Sequence, residues 1–356
     1  MSDKILMKGN EAIAEAAIVA GCTHFFGYPI TPQNEIPEYM ARRMPQIGGC
    51  FLQAESEISA INMVYGAAGV GARVMTSSSS PGISLKQEGI SYIAGAQLPC
   101  VIVNMVRGGP GLGGIQPAQS DYFQSVKGGG HGDYRLIVLA PSSIQEACTL
   151  TQYAFDMADH YRNPVLVLGD GMLGQMMEPA SMQKEQPLYP AADKSEWAAQ
   201  GWDGKSRKRA IINSLVIDPL KLEKHNEMLQ AKYVAMQKEV RFEEVNTEDA
   251  EIIVAAYGTM ARIVLGAVRR LRAKGAKVGL IRPITLWPFP TEVFAKAAEK
   301  SCVKRFLSVE MSAGQMVEDV RLAVAGRKPV SFYGRTGGSI PTIEQVEAAL
   351  MAELEG

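Results

Sequence analysis

The sequence lacks the cysteine pairs that hold metal clusters. Its five cysteines are far apart, at Cys22, Cys50, Cys100, Cys148 and Cys302, and no two of them form a C-x-x-C pair. An iron–sulfur cluster or a zinc site within this chain is therefore not expected, and no metal ligands are assigned to it. A scattered, odd number of cysteines is typical of reduced, buried thiols in a cytoplasm.

Two further classes of protein are excluded by charge and hydropathy. The net charge is only −1, which argues against electrostatic binding of nucleic acid. No apolar run reaches the ~18 residues of a membrane-spanning helix, and the N-terminal stretch MSDKILMKGNE lacks the apolar core of a signal peptide. The balance of 47% hydrophobic and 21% charged residues predicts a globular, cytoplasmic protein. A chain of 356 residues is long enough for two domains.

Helix and strand patterns alternate through the first half of the chain. Small and apolar residues share one helical face from Ala12 to Ala20, and Gly21 is placed to end that helix. The near-continuous apolar stretches PCVIVNMVR and PVLVLGDG predict buried strands, and EISAINMVYGAAGVGA predicts a helix of small residues. Unbroken apolar strands separated by helices are typical of a parallel sheet covered on both faces. We therefore expect a doubly wound α/β domain.

The pattern changes after about residue 175. A stretch with several prolines and mixed charge shows no clean period and predicts an extended arm that lies on other surfaces. An amphipathic helix is then indicated by apolar residues on one face, namely Leu222, Leu229, Tyr233, Met236 and Val240. A second series of strands and helices follows. We therefore predict a first α/β domain over residues 1–175, the arm and helix over 176–248, and a smaller α/β domain over 249–356.

The most specific stretch is ESEISAINMVYGAAGVGARVMTSSSSPG. In it, Glu57 stands nine residues before Gly66, and small or aliphatic residues fill the helix face between them. That face can pack against a flat ring or a neighbouring helix, and the helix dipole favours a carboxylate at the helix start. Taken alone, Glu57 is more simply explained as an acid at the N-terminus of an ordinary packed helix.

The combination with other stretches resembles a known family. The glutamate, the glycine nine positions later and the strand ending in a Ser-rich Pro-Gly turn are similar to the pyrimidine-binding domain of thiamine-diphosphate enzymes. The stretch GYPITP looks like the substrate loop of 2-oxoacid:ferredoxin oxidoreductases, and VNMVRGGPG, which contains Arg107, looks like their substrate-carboxylate strand. SVEMSAGQMVEDVR, GLIRPITLWPFP and YGRTGG are similar to the second domain of the alpha subunit. The chain most resembles alpha subunits that act on branched-chain 2-oxoacids such as 2-oxoisovalerate.

The resemblance implies a fold and a reaction. Residues 1–175 would form the pyrimidine-binding domain of the thiamine-diphosphate fold, and residues 249–356 a transketolase C-terminal-like domain. The family converts a 2-oxoacid, coenzyme A and oxidised ferredoxin to acyl-CoA, CO₂ and reduced ferredoxin. Thiamine diphosphate would be shared with a beta subunit that carries the Mg²⁺ and diphosphate site. Small partner subunits would carry the iron–sulfur clusters.

The resemblance also implies roles for particular residues at the cofactor. Glu57 matches the carboxylate that shares a proton with N1′ of the aminopyrimidine ring, which is the step that activates thiamine. Tyr28, Pro29 and Ile30, from the GYPITP stretch, would contact the cofactor.

Two residues are expected to bind the substrate. Arg107 would hold the 2-oxoacid carboxylate, whose geometry suits a guanidinium fork. Thr31 would donate a hydrogen bond to the substrate, and the prolines on its two sides fix the backbone and reduce the entropy lost in holding it. Gln33 and Asn34 replace two serines of the family pattern, so altered loop contacts are expected.

Several other stretches are ambiguous. Gly169-Asp170-Gly171 has no asparagine partner at the spacing of the diphosphate motif, so we interpret it as a strand-end turn. The glycine-rich stretch GGPGLGG lacks the strand and helix of a dinucleotide site. The serines from Ser77 to Ser80 could line the pyrimidine pocket or form a solvated turn. His131 is more simply a structural loop residue than a site residue. Arg335 could bind a partner or coenzyme A, or form a surface salt bridge.

Alternative functions remain open from the sequence. The chain could be the alpha subunit for 2-oxoglutarate, pyruvate or indolepyruvate, although a dicarboxylate would need a second cation and the segments around Thr31 and Arg107 contain no clear extra arginine. It could also be a non-catalytic α/β scaffold. Arg107 could pair with a structural acid such as Asp121 instead of a substrate.

Overall fold

The computed structural model describes residues 4–202, 204–205 and 209–355. The strands in chain order are β1 (Ile5–Lys8), β2 (His24–Gly27), β3 (Cys50–Gln53), β4 (Val74–Ser78), β5 (Cys100–Val106), β6 (Ile137–Leu139), β7 (Pro164–Asp170), β8 (Met177–Ala180), β9 (Phe242–Val245), β10 (Ile252–Ala255), β11 (Val278–Pro283), β12 (Thr285–Trp287), β13 (Arg305–Glu310) and β14 (Val330–Gly334). The α-helices are α1 (Gly9–Val19), α2 (Glu35–Arg43), α3 (Glu57–Gly69), α4 (Pro81–Gly95), α5 (Tyr122–Val126), α6 (Ile144–Tyr161), α7 (Gly171–Gln175), α8 (Pro219–Ala235), α9 (Gly258–Ala273), α10 (Thr291–Glu299), α11 (Met316–Val324) and α12 (Ile343–Glu355). Two short 3-10 helices span Met44–Ile47 and Met236–Glu239.

A seven-stranded sheet forms the centre of the first half, in the order β12-β6-β7-β5-β4-β2-β3. All neighbours are parallel except β12, which runs antiparallel to β6. Every residue of β4, β5 and β7 is buried, as expected for strands with helices on both faces. The predicted doubly wound parallel sheet is confirmed, and β4, β5 and β7 bring their carboxyl ends to one edge.

Local signals place the helices that flank this sheet. Helix α1 ends at Val19, and Gly21 adopts a φ of 86° that favours glycine. Ser56 caps α3 by accepting a hydrogen bond from the Ser59 amide at 3.2 Å. Ser143 caps α6 in the same way from the Glu146 amide, also at 3.2 Å.

A second, five-stranded sheet has the order β14-β13-β10-β11-β9. The neighbours are parallel except β9, which is antiparallel to β11. The predicted second α/β unit is therefore present. Apolar packing is continuous from the first sheet into this unit through residues such as Ile253, Tyr257, Phe294 and Phe306.

Strand pairing crosses the three predicted segments. The strand β9 lies in the segment predicted as arm and helix but belongs to the second sheet. Conversely, β12 lies in the last segment but pairs with β6 of the first sheet. The short pair β1 and β8 joins the N-terminus to residues that follow α7. The strands of the two large sheets therefore do not fall neatly into the three predicted segments, because β9 and β12 each pair with a strand from another segment.

The segment between β8 and α8 contains no helix or strand in its described part, and it follows the surface of the first domain. The Lys194 ammonium forms an ion pair with Asp159 at 2.6 Å and donates to the Gly71 carbonyl at 3.1 Å. The Ala199 amide donates to the Gly69 carbonyl at the end of α3. The helix that follows is shorter than predicted, because α8 ends at Ala235 and a 3-10 turn leads into β9.

The two α/β units are joined by buried polar contacts. Gln119 donates from its side chain to the Tyr257 carbonyl at 3.0 Å and accepts from the Met311 amide at 3.0 Å. The Arg282 guanidinium forms ion pairs with Glu146 at 2.9 Å and with Glu243 at 2.8 Å. These contacts fix the second unit against the edge of the first sheet.

Candidate active site

The loop between β2 and α2 carries four of the predicted site residues. It is held from beneath by Gln33, which is fully buried and accepts a hydrogen bond from the Ser77 hydroxyl at 2.5 Å. The Gln33 amide nitrogen also donates to the Tyr28 carbonyl at 3.3 Å. Asn10 donates to the Pro32 carbonyl at 2.8 Å. In this chain Gln33 reaches down to β4 and anchors the tip that contains Thr31, and the expected alteration of loop contacts relative to the family stays a prediction.

The tip itself faces outward. Tyr28 and Ile30 are half-buried and Pro29 is exposed. Among the described residues, the Thr31 hydroxyl has only a long 3.5 Å hydrogen bond, donated by the Asn34 side chain. The Thr31 hydroxyl is therefore free to bind a ligand at the surface of the sheet edge. The predicted cofactor contacts of Tyr28, Pro29 and Ile30 stay a prediction.

Arg107 follows the last residue of β5 and is 7% exposed. Its guanidinium donates to the Thr31 carbonyl at 2.9 Å and to the Leu112 carbonyl at 3.1 Å, and its Nε is buried without a partner. Among the described residues Arg107 forms no ion pair. An unpaired guanidinium with a free donor is a site for an anion, because a buried charge without a counter-ion is costly.

The alternative partner of Arg107 is engaged elsewhere. Asp121 accepts a hydrogen bond from the Asn104 side chain at 2.9 Å. Burial raises the pKa of the Asp121 carboxyl above its usual range, although hydrogen bonds from Asn104 and Ser80 act in the opposite direction. Within the described part of the chain, no ion pair connects Asp121 with Arg107. The structure gives no support to the structural ion pair that the sequence left open.

Glu57 is the first residue of α3 and is 6% exposed. Among the described residues, none donates a hydrogen bond to its carboxylate. The carboxylate therefore lies at a helix N-terminus, where the dipole stabilises the ionised form, and its lone pairs are not used within the part of the chain described here. This arrangement suits a carboxylate that exchanges a proton with a bound ring nitrogen.

The carboxylate lies against a glycine of the next helix. A Cβ atom at Gly82 would lie 2.0 Å from the Ser78 hydroxyl oxygen and 2.8 Å from Glu57 Oε1. The absence of a side chain at Gly82 therefore allows β4, α3 and α4 to converge at this point. By contrast, a Cβ at Gly66 would meet nothing within 4 Å, so the glycine of the nine-residue spacing is not required by packing within this chain.

The four serines at the end of β4 connect the predicted site residues. Ser77 donates to Gln33 of the loop between β2 and α2. Ser78 approaches Glu57 across Gly82. The Ser80 hydroxyl accepts from the Arg107 amide at 3.0 Å. All four serines are buried, and the hydroxyls of Ser78 and Ser79 have no partner among the described residues. They do not form a solvated turn, and their place in a pyrimidine pocket stays a prediction. Their position after a buried parallel strand is the signal that the sequence offered, because ligands bind at the carboxyl ends of such strands.

These observations test whether the site fits thiamine diphosphate. The aminopyrimidine ring needs a carboxylate, and Glu57 is positioned without another partner. The buried free hydroxyls of Ser78 and Ser79 and the free Nε of Arg107 are polar groups that a bound ligand would satisfy. The residues present therefore fit the pyrimidine half of the cofactor and a substrate carboxylate.

We expect Gly82→Ala to disrupt this convergence. The added methyl group would overlap the Ser78 hydroxyl and press on Glu57, so the free energy of unfolding should fall by about 1–3 kcal/mol and cofactor affinity should fall with it. Thermal melting and thiamine-diphosphate binding of the assembled enzyme measure the two effects. Gly95→Ala on the same helix is the matched control, because its nearest contact is Ser214 Cβ at an ordinary 3.5 Å. Parental stability and affinity in Gly82→Ala would show that the site tolerates a shifted Glu57.

Asp170 has a structural role that explains the Gly-Asp-Gly stretch. Its carboxylate caps α7 by accepting from the amides of Met172 at 2.9 Å and Leu173 at 3.1 Å, and it also accepts from the Thr259 hydroxyl. Burial raises the pKa of the Asp170 carboxyl, although these hydrogen bonds favour its ionised form. This stretch lies at the end of β7, as interpreted, but it leads directly into α7 without a separate turn.

The other residues that the sequence left ambiguous have their contacts away from Glu57. His131 is exposed and packs edge-on against Tyr92. Arg335 donates to Gln345 at 3.2 Å and, within the described chain, forms no ion pair, so the predicted surface salt bridge is wrong. In the glycine-rich stretch after Arg107, a Cβ at Gly113 would lie 1.9 Å from the Gly108 carbonyl oxygen. Glycine is needed there to close the loop, and no helix follows directly.

The cysteines are free thiols, as predicted. Three of them are buried, but Cys50 is exposed and Cys302 is half-buried, so the expectation of uniformly buried thiols is wrong. Across the described ranges, no group of three or more His, Cys, Asp and Glu side chains is arranged to hold a metal ion. The same part of the chain contains no helix long and apolar enough to cross a membrane.

Two protein families together match almost the whole chain. A family described as "Pyruvate flavodoxin/ferredoxin oxidoreductase, thiamine diP-bdg" matches residues 15–247. A second, described as "Pyruvate:ferredoxin oxidoreductase core domain II", matches residues 250–346.

Individual relatives extend the comparison. The ketoisovalerate oxidoreductase subunit VorB of Methanothermobacter marburgensis is 52% identical over 96% of this chain and 95% of that protein. The 2-oxoglutarate synthase subunit KorA of Methanothermobacter thermautotrophicus is 37% identical over 97% of this chain and 98% of that protein.

Solved structures show the same fold. The 2-oxoglutarate:ferredoxin oxidoreductase from Magnetococcus marinus, with 2-oxoglutarate, coenzyme A and succinyl-CoA bound, superposes with a TM-score of 0.88 and 28% identity. The match covers 99% of this chain and 66% of the solved chain, so this chain spans just under two thirds of that protein's length. A split-gene transketolase in an inactive beta4 tetramer superposes with a TM-score of 0.61 at 14% identity, over 98% of each chain, which is a likeness of fold alone.

Proposed function

Because the chain belongs to the pyruvate flavodoxin/ferredoxin oxidoreductase family of thiamine-diphosphate-binding proteins, we propose that it supplies the pyrimidine half of the active site in an enzyme that oxidatively decarboxylates a branched-chain 2-oxoacid, 2-oxoisovalerate. The observation that carries the proposal is the Glu57 carboxylate, which is buried at the start of α3 without a hydrogen-bond donor among the described residues. Ser78 and Gly82 pack closely beside this carboxylate.

The proposed roles follow from this geometry. Glu57 would hold and exchange a proton at N1′ of the aminopyrimidine. Arg107 would bind the carboxylate of the 2-oxoacid through its free Nε, and Thr31 would donate to the keto end. When bound, thiamine diphosphate supplies the electron sink for loss of CO₂. The chain itself contributes binding, orientation and the proton at N1′.

The lining of the groove beside Thr31 favours a branched aliphatic substrate. This groove has a volume of about 550 Å³ and contains apolar residues, among them Ile115, Met172 and Ile340. Its single ionisable lining residue is Glu35, an acid already paired with Lys8, so the groove as described offers no cation for the second carboxylate of 2-oxoglutarate. The 52% identity to a ketoisovalerate oxidoreductase subunit, against 37% to a 2-oxoglutarate synthase subunit, points the same way.

The substrate assignment is tested with a panel of 2-oxoacids. The native complex is assayed for coenzyme-A-dependent reduction of ferredoxin or a viologen dye with 2-oxoisovalerate, pyruvate, indolepyruvate and 2-oxoglutarate. We expect the highest kcat/KM for 2-oxoisovalerate. A preference for 2-oxoglutarate would contradict the assignment.

The rest of the site is proposed to lie on partner chains in the cytoplasm. Asp170, the only acid of the Gly-Asp-Gly stretch, is fully engaged by α7 and Thr259, so it is not available to Mg²⁺. Three exposed apolar side chains, Ile58, Leu85 and Leu112, are close in the chain to Glu57, Gly82 and Arg107, respectively. They form a surface suited to a beta subunit that carries the diphosphate and Mg²⁺. Small iron–sulfur subunits would pass electrons to ferredoxin, and coenzyme A would accept the acyl group.

We expect the purified chain alone to show no iron–sulfur absorbance and no tight binding of thiamine diphosphate. The same chain co-purified with its beta subunit should bind the cofactor tightly and only with Mg²⁺. Isothermal titration calorimetry and visible absorption measure the two properties. Tight, Mg²⁺-dependent binding by the isolated chain would overturn the shared site, and no binding in the complex would favour a non-catalytic scaffold.

A further inference from the structure

Ser80 has a backbone conformation that serine seldom adopts. It stands between the end of β4 and the start of α4, with a φ of 21° and a ψ of −82°. The Gly82 amide donates to the Ser79 carbonyl at 2.7 Å, so Ser80 is the second residue of a tight turn. Turns with a positive φ at that position are dominated by glycine, because a side chain there crowds the backbone. A serine in this place costs conformational energy, and its side chain is where the reason for it should lie.

The Ser80 side chain is bonded to the backbone of Arg107. Its hydroxyl accepts from the Arg107 amide at 3.0 Å and donates to the Arg107 carbonyl at 3.3 Å. The ladder between β4 and β5 ends with the pair Ser78 and Asn104, three residues before Arg107. One hydroxyl therefore takes the place of the neighbouring strand beside Arg107. Glycine in this turn would relieve the strain, but both backbone groups of Arg107 would lose this partner.

Asn104 holds the turn from the side of β5. Its side chain is fully buried, and its oxygen accepts from the Ser80 amide at 3.1 Å. Its amide nitrogen donates to Asp121 at 2.9 Å, and a hydrogen bond from Ser80 also acts on that carboxyl. Both the amide and the hydroxyl of Ser80 are thus fixed by neighbouring groups. A strained backbone persists where the surrounding contacts define it from several directions.

The contacts of Arg107 divide between its guanidinium and its backbone. The guanidinium donates to the carbonyls of Thr31 and Leu112, and its Nε has no partner among the described residues. The backbone from which this side chain starts is held by the Ser80 hydroxyl. A long side chain takes its direction from its Cα–Cβ bond, so a small rotation of the Arg107 backbone would displace the guanidinium relative to Thr31.

We infer that Ser80 is a positioning residue for Arg107: its hydroxyl holds the Arg107 backbone so that the guanidinium meets the carboxylate of the substrate. This inference rests on the proposed role of Arg107 in substrate binding. Loss of the hydroxyl weakens the binding of the 2-oxoacid, whereas relief of the strained backbone stabilises the fold. The two effects can be measured separately, because the first belongs to the side chain of Ser80 and the second to its backbone.

The first test compares Ser80→Gly with Ser80→Ala in the assembled enzyme. Both variants lose the hydroxyl, so both should raise the KM for the 2-oxoacid about threefold to tenfold, as for a lost neutral hydrogen bond, with little change in kcat. Only glycine accepts a positive φ without strain, so Ser80→Gly should melt at a higher temperature than Ser80→Ala. Steady-state kinetics and thermal melting of the same preparations measure the two effects. A purely structural role would make KM follow the melting temperature, with the larger change in Ser80→Ala.

Gln97 provides the matched control pair. It also has a positive φ, of 52°, but it precedes the amino end of β5, whereas Arg107 follows the carboxyl end of the same strand. Gln97→Gly should melt at a higher temperature than Gln97→Ala for the same reason, and both should keep the parental KM. A raised KM in this pair would show that KM responds to backbone strain at a distance, and would overturn the specific role of Ser80.

A double-mutant cycle tests whether Ser80 acts through Arg107. When Ser80→Gly is combined with Arg107→Met, KM should be no higher than in Arg107→Met alone, because the guanidinium that Ser80 positions is absent. An equal rise in KM in the presence and in the absence of Arg107 would overturn the inference, since Ser80 would then act independently of this arginine.

The outcomes distinguish this inference from the proposed function. A raised KM in Arg107→Met with a parental KM in both Ser80 variants would overturn the role of Ser80 and leave the substrate role of Arg107 intact. A parental KM in Arg107→Met would overturn that substrate role and the role of Ser80 with it. A raised KM in both Ser80 variants, which is absent from the Gln97 pair and from the Arg107→Met background, would establish the positioning role.

Discussion

Replacing Glu57 by glutamine should reduce turnover of the assembled enzyme by about 10²- to 10⁴-fold, the range expected when a positioned acid–base group is lost. The glutamine amide has the same shape but cannot exchange a proton with N1′ of the cofactor. The carboxylate accepts no hydrogen bond from the described residues, so its loss breaks no internal contact. The melting temperature and subunit assembly should therefore stay close to parental values.

The matched control for this variant is Glu55→Gln. Glu55 precedes Glu57 by two residues, is exposed, and accepts a hydrogen bond from the Ser59 hydroxyl at the surface. Dye reduction with 2-oxoisovalerate and thermal melting are measured for both variants. We expect parental turnover in Glu55→Gln. Near-parental turnover in Glu57→Gln would remove Glu57 from the mechanism and restore its interpretation as an ordinary helix-terminal acid.

Replacing Arg107 by methionine should raise the KM for 2-oxoacids about tenfold to a hundredfold. A hydrogen bond to a charged group contributes roughly 1.5–3 kcal/mol, and each 1.4 kcal/mol is about tenfold in affinity. The affinity for thiamine diphosphate should change much less, because Glu57 and the serines of β4 remain in place. Steady-state kinetics and cofactor titration of the same preparation measure the two quantities.

Two further variants show which bond of Arg107 matters. Thr31→Val removes the Thr31 hydroxyl but keeps the backbone carbonyl that accepts from Arg107, so it should raise KM less than Arg107→Met. Arg43→Met removes a guanidinium paired with Glu15 away from the site and should leave KM unchanged. A lowered melting temperature with unchanged KM in Arg107→Met would mean that this arginine only holds the Thr31 and Leu112 carbonyls.

The sheet and the principal site residues could be predicted because their signals are local. The central strands β5 and β7 are near-continuous apolar runs, and Arg107 follows β5 directly. Glu57 is identified by its nine-residue spacing to Gly66 within one helix and by the resemblance to thiamine-diphosphate enzymes. Such features depend on residues close together in the chain, so a sequence pattern contains them.

The remaining features depend on contacts between residues far apart in the chain. The edge strands β1, β8 and β12 are short and exist only because a distant strand pairs with each of them. The anchoring of the substrate loop by Gln33 requires Ser77, 44 residues away. Lys86 gives no local signal in the sequence, because its burial depends on the packing of α4 against β4, where its ammonium donates to the Thr76 hydroxyl.

Glu146 shows how a local signal can be redirected by tertiary structure. Ser143 and Glu146 have the spacing of a capping box at the start of α6, and its first half is present, since Ser143 accepts from the Glu146 amide. The Glu146 carboxylate, however, accepts from the Ser142 amide at 2.7 Å and forms a bidentate pair with Arg282. The second half of the box is therefore replaced, because the buried guanidinium of the other α/β unit competes for the same carboxylate.

The strand β12 has a consequence for how the protein can be divided. It is part of the C-terminal unit by sequence, yet it covers the outer edge of β6 in the seven-stranded sheet. A fragment ending near residue 248 would expose the backbone donors and acceptors of β6, which is the kind of open edge that promotes aggregation. The two α/β units are thus not interchangeable modules. A piece transplanted between assemblies with both large sheets complete must include everything from β2 to β14.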